Sequence, residues 1–287
     1  MRRFIIAILM SMALITCVYA ADSVYLDGTG ATPGAYTTIS AAVSALPNGG
    51  TVIVTGNTVI GSAKAGVTLP KVGGKVTIVG EGDVTLTFAR SLFLSSPLEI
   101  DNVTLHSTAT VSGNILCCGN TLTIGENVRV TAASGAMYPA LFGGAAGGTV
   151  SYNTHLIIKS GTWRCIYGGS FDGTFNGSSV VELSNLVSNG TVSAKNYAGT
   201  FNGTASLVVD LRGNKTVTSK IYKETPSLLV DDGYEGILEE NTYMQRKIIS
   251  AEPRTVYVDG TGKTEGAYTS LSAAVAEMPG GGTIIIA

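Results

Sequence analysis

Apolar residues along the chain come in short runs, most alternating with Thr, Ser, Asn or Lys and punctuated by Gly, Asn and Ser. Residues 76–79, 84–88, 98–105, 122–124, 156–158, 180–183 and 207–211 are such runs. A period of two predicts half-buried strands, and the punctuation predicts turns. One window has a different period. Ile39, Ala42, Val43 and Leu46 stand at i, i+3, i+4 and i+7, one face of a short helix. Thr37 or Thr38 is placed to cap its start, and Pro47 with Gly49-Gly50 to end it. The strand Val24-Tyr25-Leu26, the turn Asp27-Gly28-Thr29-Gly30, this helix and the strand at 51–54 form one module.

That module occurs twice. Residues 23–55 align without a gap to 255–287, with about 20 of 33 positions identical. Shorter repeats lie between them. Gly173-Thr-Phe-Asn-Gly177 returns at 199–203, Leu141-Phe-Gly-Gly144 is echoed at 166–169, and Val180-Val-Glu-Leu183 is echoed at 208–211. Offsets of about 25 to 28 residues are the size of one coil of a β-solenoid. The predicted fold is therefore all-β, a right-handed parallel β-helix with a short N-terminal capping helix. The helix would cover apolar side chains that the first coil otherwise exposes at the open end. The expected domains are a leader at 1–20, a solenoid at 21–250 whose cap module is 23–55, and at 251–287 the start of a second copy of that cap. The second copy stops inside its first strand run, which predicts a longer chain with further copies of the same domain.

Composition narrows the partners. Only 13% of the residues are charged, against roughly 25% in an average soluble domain. The formal net charge of -2 leaves no basic footprint for nucleic acid. Residues 1–20 place two arginines before an apolar run that ends Val18-Tyr19-Ala20, the pattern of a secretory signal cleaved after Ala20. The protein is thus expected outside the cell or at its surface, and no other stretch is long enough to span a bilayer. Leu14-Ile15-Thr16-Cys17 only faintly matches a lipoprotein box, since Thr16 stands where a smaller residue is usual. Residues 220–254 hold 12 of the 38 charged residues and are read as the edge of the solenoid plus a linker. After the leader, Cys117, Cys118 and Cys165 remain. Either Cys165 bridges to one of the pair, or all three are buried thiols. Their spacing gives no zinc site.

The set Tyr25-x-Asp27-Gly28-Thr29-Gly30, Tyr36-Thr37-x-Ile39-x-x-Ala42-Val43 and Gly49-Gly50-Thr51-Val52-Ile53-Val54 resembles the N-terminal cap of pectin-lyase-like proteins, which are right-handed parallel β-helices. The Gly-Gly and Asn-Gly coils from about 113 to 215 are similar to adhesin-like β-helix proteins of anaerobic bacteria. Together these resemblances cover most of the chain beyond the leader. They imply a fold more than an activity, because the superfamily includes pectate lyases, polygalacturonases, phage tailspikes and non-enzymatic surface proteins. The polygalacturonase pattern is broken here. Asn153-Thr154 is followed by His155 rather than Asp, neither His106 nor His155 precedes Gly, and the pair Asp231-Asp232 lies in the charged segment.

No catalytic set emerges. Glu182 and Asp210 are expected at similar positions on neighbouring coils, where a carboxylate pair can hold calcium or share a proton. A solvated surface ladder is the plainer reading, so calcium is only weakly suggested and no other cofactor is expected. Asp27-Gly28-Thr29-Gly30 lacks the alternating acids of a calcium loop and reads as a turn. The aromatic residues carry more. Trp163, Tyr167, Phe171, Phe175, Tyr197 and Phe201 fall in or near the turns of neighbouring coils, with Arg164, Asp172 and Asn176 close by. Sugar rings stack their apolar faces on such side chains. Trp163, Tyr167, Phe171, Asp172 and Tyr197 are the candidate binding residues, set against packing of Trp163 and Tyr167 in the core or rim and of Phe175 and Phe201 within the solenoid. The Asn-x-Ser/Thr sites at Asn102, Asn176, Asn189, Asn202 and Asn214 are read as turn residues. Three functions follow: a structural or adhesive surface protein with a polysaccharide or cell-surface glycan as partner, a carbohydrate-binding module of a larger exported protein, and a polysaccharide lyase or glycoside hydrolase.

Overall fold

Alternating Val, Ile and Leu side chains stack in register from coil to coil, and this stacking makes the fold. A computed structural model describes residues 22–61, 65–110, 113–213, 215–221, 224–232, 234–241, 246–279 and 281–287. The expected leader at 1–20 lies outside them. Nine parallel strands form sheet one, in the order Ser23–Asp27, Gly50–Gly56, Val76–Gly80, Leu98–Asp101, Leu122–Ile124, Thr154–Ile158, Ser179–Leu183, Ala205–Asp210 and Ser227–Leu229. Sheet two has four strands: Thr58–Ile60, Thr85–Phe88, Thr104–Ser107 and Arg129–Ala132. Sheet three runs from Val67–Thr68 through Leu92–Phe93, Asn114–Leu116, Ala140–Phe142, Cys165–Tyr167 and Leu186–Ser193 to Val217–Ile221. A three-stranded side sheet, Thr149–Val150, Thr174–Phe175 and Thr200–Phe201, is added in the later coils. The chain is a β-solenoid, as the repeats predict.

Two aliphatic rows line the inner face of sheet one. Val52, Ile78, Ile100, Ile124, Ile158, Leu183 and Val209 are partners in succession, as are Val76, Leu98, Leu122, Leu156, Val181 and Leu207. All are buried. Each contributes about 1.5–3 kcal/mol through lost apolar surface. A slip of one residue would turn a whole strand's apolar set to water, so the rows also fix the register.

The register corrects two expectations. Coil length is less uniform than 25–28 residues: 22 separate Ile78 from Ile100, and 34 separate Ile124 from Ile158. Val180-Val-Glu-Leu183 and Val208-Val-Asp-Leu211 do not align as written, because Glu182 pairs with Val208 and Leu183 with Val209. The Thr174–Thr200 and Phe175–Phe201 pairs, 26 residues apart, set this register. A two-residue shift leaves every side chain on its own face, so the local sequence match could not reveal it. The charged segment is also more ordered than a linker. Tyr234–Asn241 and Arg246–Pro253 form an antiparallel hairpin that joins Val217–Ile221 and ends sheet three.

Helix α1 (Ile39–Ser44) is capped by Thr38, whose hydroxyl accepts the Ala41 N–H, and it buries Ile39, Ala42 and Val43. Before it, Asp27 is buried and its carboxylate accepts from Thr29 N–H (2.9 Å), Thr29 O–H (2.6 Å) and Thr32 N–H (2.7 Å). These donors, Thr29 first, hold the Asp27 carboxyl well below the usual carboxylate range. With the folded pKa depressed, the contribution of Asp27 is complete above its unfolded value of about 4 and is lost as pH falls through the folded value. Melting temperature should therefore depend on Asp27 between pH 4 and 2. An Asp27→Asn chain, lacking this titration, should show a smaller drop over that window in parallel thermal melts.

The second copy of the module folds in the same way. Thr255–Val258 pairs in parallel with Thr283–Ile286, and helix α2 (Leu271–Ala276) is capped by Ser270. Asp259 repeats the role of Asp27, accepting from Thr261 and Thr264.

Candidate functional site

Sheet three departs from simple alternation. Its inner row, Leu92, Ile115, Leu141, Ile166 and Val192, joins the core. Its outer row, Phe93, Leu116, Phe142 and Tyr167, is apolar as well and forms a separate cluster with Cys118 and Cys165 packed against it. Segments leaving the sheet fold back over this outer row. Backbone bonds from Phe171 N–H to Ala145 O (2.9 Å) and from Tyr197 N–H to Ser170 O (3.0 Å) hold successive segments one coil apart. Asn196 braces them, accepting from Ser170 N–H (2.7 Å) and donating to Thr200 O (2.9 Å).

Four rings thereby meet. Phe142 and Tyr167 are parallel at 5.7 Å, Phe171 and Tyr197 are parallel at 5.3 Å, and edge-to-face contacts link Phe142 to Phe171 and Tyr167 to Tyr197. Phe142 and Tyr167 are buried, whereas Phe171 and Tyr197 are exposed. Beside them runs a groove of about 400 Å3, lined by these rings with Asn114 and Arg164. The Arg164 guanidinium donates to Asn114 Oδ1 (2.6 Å) and makes no ion pair with a carboxylate among the described residues. Cys165 and Thr191 complete the wall. Burial pushes the Cys165 thiol up, partly offset by Arg164, so the groove holds a thiol rather than a thiolate at neutral pH.

Three of the five candidate residues, Tyr167, Phe171 and Tyr197, are thus brought together. Trp163 is not. Its ring is fully buried in the main core, and Nε1–H donates to Ser160 O (2.8 Å), so neither ring face is open to a ligand. Asp172 is exposed and accepts its neighbour Gly173 N–H (2.7 Å), outside the groove wall. Phe175, fully buried, and Phe201, half-buried, stack at 5.2 Å in the side sheet. Asn176 lies on that sheet's turn, accepting from Asn202 Nδ2–H (2.9 Å), a turn ladder of the expected kind. Phe142, Asn114 and Thr191 were not singled out from the sequence. The signal for Phe142 was present in Ala140-Leu141-Phe142 and Cys165-Ile166-Tyr167, whose unbroken apolar runs mark strands covered on both faces.

Glu182 and Asp210 do not stand at matching positions on neighbouring coils, and the less favoured carboxylate pair does not form between them. Glu182 bonds His155 (2.6 Å) across the outer face of sheet one, and Asp210 is held by two guanidinium bonds (2.8 and 3.0 Å) and one backbone N–H bond (3.2 Å) from Arg212. No group of three His, Cys, Asp or Glu side chains able to hold a metal occurs among the described residues. Asn153 and Thr154 serve the backbone: Asn153 accepts Ser178 N–H (2.9 Å), and Thr154 donates to Gly168 O (2.6 Å). The three cysteines are free. Cys165 stacks over Ala140, which stacks over Asn114, so two coils separate it from the strand that leads into Cys117 and Cys118. Stacking alone then places it roughly 10 Å away, beyond the reach of a disulfide. Cys117 faces the core and Cys118 the outer cluster. Burial raises both thiols, and it pushes the neighbouring Tyr152 hydroxyl up to about 12.

A scan of protein-family models, a search of curated proteins and a search of solved structures each found no match to the chain.

Proposed function

We propose that the protein is an exported surface or secreted β-solenoid with a structural or adhesive role, and that the groove on sheet three binds polysaccharide. The observation that carries this reading is the exposed, parallel pair Phe171 and Tyr197, one coil apart, beside Arg164 and Asn114. A sugar ring can lay an apolar face on the rings while its hydroxyls bond the polar pair, the combination of apolar wall and few polar groups usual in ligand sites. Export rests on the leader-like residues 1–20, and kinship with the pectin-lyase-like β-helices rests on the cap motif. A lyase or hydrolase would need acids converging on the groove, and among the described residues its wall is formed by aromatic residues, Asn, Arg, Cys, Gly and Thr.

A panel of immobilised neutral and acidic polysaccharides tests the reading. At least one should retain the protein, and Tyr197→Ala should weaken retention about tenfold, equivalent to about 1.4 kcal/mol. Tyr25→Ala, which removes an exposed ring from the first module, should leave retention unchanged. Failure of every glycan to bind, or equal loss in both variants, would remove the groove from consideration.

A further inference from the structure

A second column of residues runs beside the aromatic row on the outer face of sheet three. Asn114 pairs with Ala140 and Ala140 with Cys165, and the pairing of Ile166 with Val192 sets Thr191 next in line. These positions alternate with the inward-facing Ile115, Leu141, Ile166 and Val192, so they share the side of Phe142 and Tyr167. Ala140 ends at Cβ. Past it the Arg164 guanidinium reaches Asn114 Oδ1, 50 positions away in sequence (2.6 Å). Its other bond goes to Met137 Sδ (3.2 Å), and Arg164 N–H on Pro139 O (2.8 Å) fixes the base of the side chain.

Both partners of this guanidinium are neutral. A half-buried cation is ordinarily matched by a carboxylate, yet Arg164 forms no ion pair among the described residues. Two acids on the segments that follow are engaged elsewhere. Asp172 accepts Gly173 N–H (2.7 Å), Glu224 accepts Ser193 O–H (2.9 Å) and Ala194 N–H (2.8 Å), and neither lines the groove. Asn114 supplies an independent observation. It is 9% exposed and lines the groove, and its Oδ1 is taken by Arg164. Its Nδ2 amide hydrogens therefore remain, with no acceptor among the described residues. Thr191 adds a hydroxyl to the same wall. The groove thus sets a guanidinium, an amide and a hydroxyl beside four rings.

We infer that the ligand of this groove is a sulfated polysaccharide, with a sulfate ester on Arg164 and Asn114 and a sugar ring on Phe171 and Tyr197. The inference rests on the proposed glycan groove and names the chemical class it takes. An anion that only accepts hydrogen bonds complements a wall of donors, and the guanidinium fork suits oxyanions. A sulfate ester presents three terminal oxygens, one each for the guanidinium, the amide and the hydroxyl, whereas a carboxylate presents two in one plane. The ester also spreads its charge over more oxygens. It therefore gives up water at lower cost against an apolar wall, where the weakly hydrated guanidinium is equally suited. With a formal net charge of -2 the chain as a whole does not attract polyanions, so the attraction is local to Arg164.

The test measures affinity of the full chain for sulfated galactans, fucans and glycosaminoglycans, each beside its desulfated form, and for unsulfated uronate polymers. At least one sulfated polymer should bind about tenfold tighter than its desulfated form, the size of one charge-assisted hydrogen bond, and added salt should erase that margin. Arg164→Gln should remove the margin while keeping the affinity for the desulfated polymer, and Arg164→Lys should retain only part of it. Arg129→Gln, which removes an exposed cation from sheet two, should change nothing. The wild-type margin and its salt dependence need no variant, so they decide the matter even where Arg164→Gln fails to fold. A sulfated and a desulfated form that bind alike, both weakened by Tyr197→Ala, would overturn the inference and leave the glycan groove standing. Uronate polymers bound as tightly through Arg164 would overturn the sulfate assignment. Equal losses in the Arg164 and Arg129 variants would reduce the effect to general charge attraction and overturn it too. Binding to no polymer would remove the groove itself.

Discussion

Trp163→Ala is expected to destabilise the solenoid by about 3–5 kcal/mol, the range for deleting a large buried aromatic side chain. Three features place it there. The ring is fully buried in the main core. Its indole N–H satisfies Ser160 O. The partner in register on the next coil is Ser188, too small to fill the space the ring would leave. Trp163→Phe should cost less, since it keeps most of the bulk and forfeits one hydrogen bond, about 0.5–1.5 kcal/mol, plus residual cavity. Urea unfolding followed by circular dichroism separates the two variants. Trp163 is the sole tryptophan, so wild-type emission provides a second readout. It should shift to the red on unfolding and stay unchanged on glycan binding, because the ring does not border the groove. A glycan-induced shift, or a Trp163→Ala chain as stable as wild type, would contradict this placement.

The contrast between Trp163 and Tyr167 shows what the sequence carried and what it did not. The solenoid was legible because its determinants are local and repeated: alternating aliphatic runs, Gly-rich corners, a helix-capped module present twice. The side on which an aromatic residue lies was less legible. Trp163 and Tyr167 are four residues apart, an even spacing that in one continuous strand puts both on the same face. Between them the chain passes from Thr162–Trp163 to Cys165–Tyr167 with a break at Arg164, and the parity resets. Trp163 then points in and Tyr167 out. Phe171 and Tyr197 were found because turn aromatics recur at coil spacing. Asn114 and Thr191 were not, because they join the groove only through stacking of coils that lie up to 77 positions apart in sequence. The Glu182–Asp210 pair failed for a related reason: similar tetrapeptides fix which face a side chain takes, but not which of two even registers the ladder adopts.

The same stacking predicts an unusual sensitivity at one corner. Gly177 and Gly203 occupy equivalent places on successive coils, where the chain turns from the side sheet into sheet one. A methyl group on Gly203 would overlap the Gly177 carbonyl oxygen, and one on Gly177 would overlap the Tyr152 carbonyl oxygen. Neither glycine has a positive φ, so the requirement is for close approach of backbones rather than for a left-handed conformation. The clash falls on backbone, which cannot swing aside as a side chain can. Relief would have to come from parting the coils, and adjacent bonds oppose that: Ser179 N–H to Thr204 O (2.8 Å) and Thr154 N–H to Ser178 O (2.9 Å). Gly177→Ala should therefore cost about 3 kcal/mol, the upper part of the usual range for overpacking, and Gly203→Ala a similar amount. Gly147→Ala is the control, since it has open space around it and no positive φ. It should be neutral or stabilise slightly by restricting the unfolded chain. Denaturant unfolding of the three variants decides the matter. If Gly177→Ala and Gly203→Ala match Gly147→Ala, the coils are not held at contact distance at this corner, and the spacing of the side sheet that positions Asn196 and Tyr197 is looser than the backbone bonds imply.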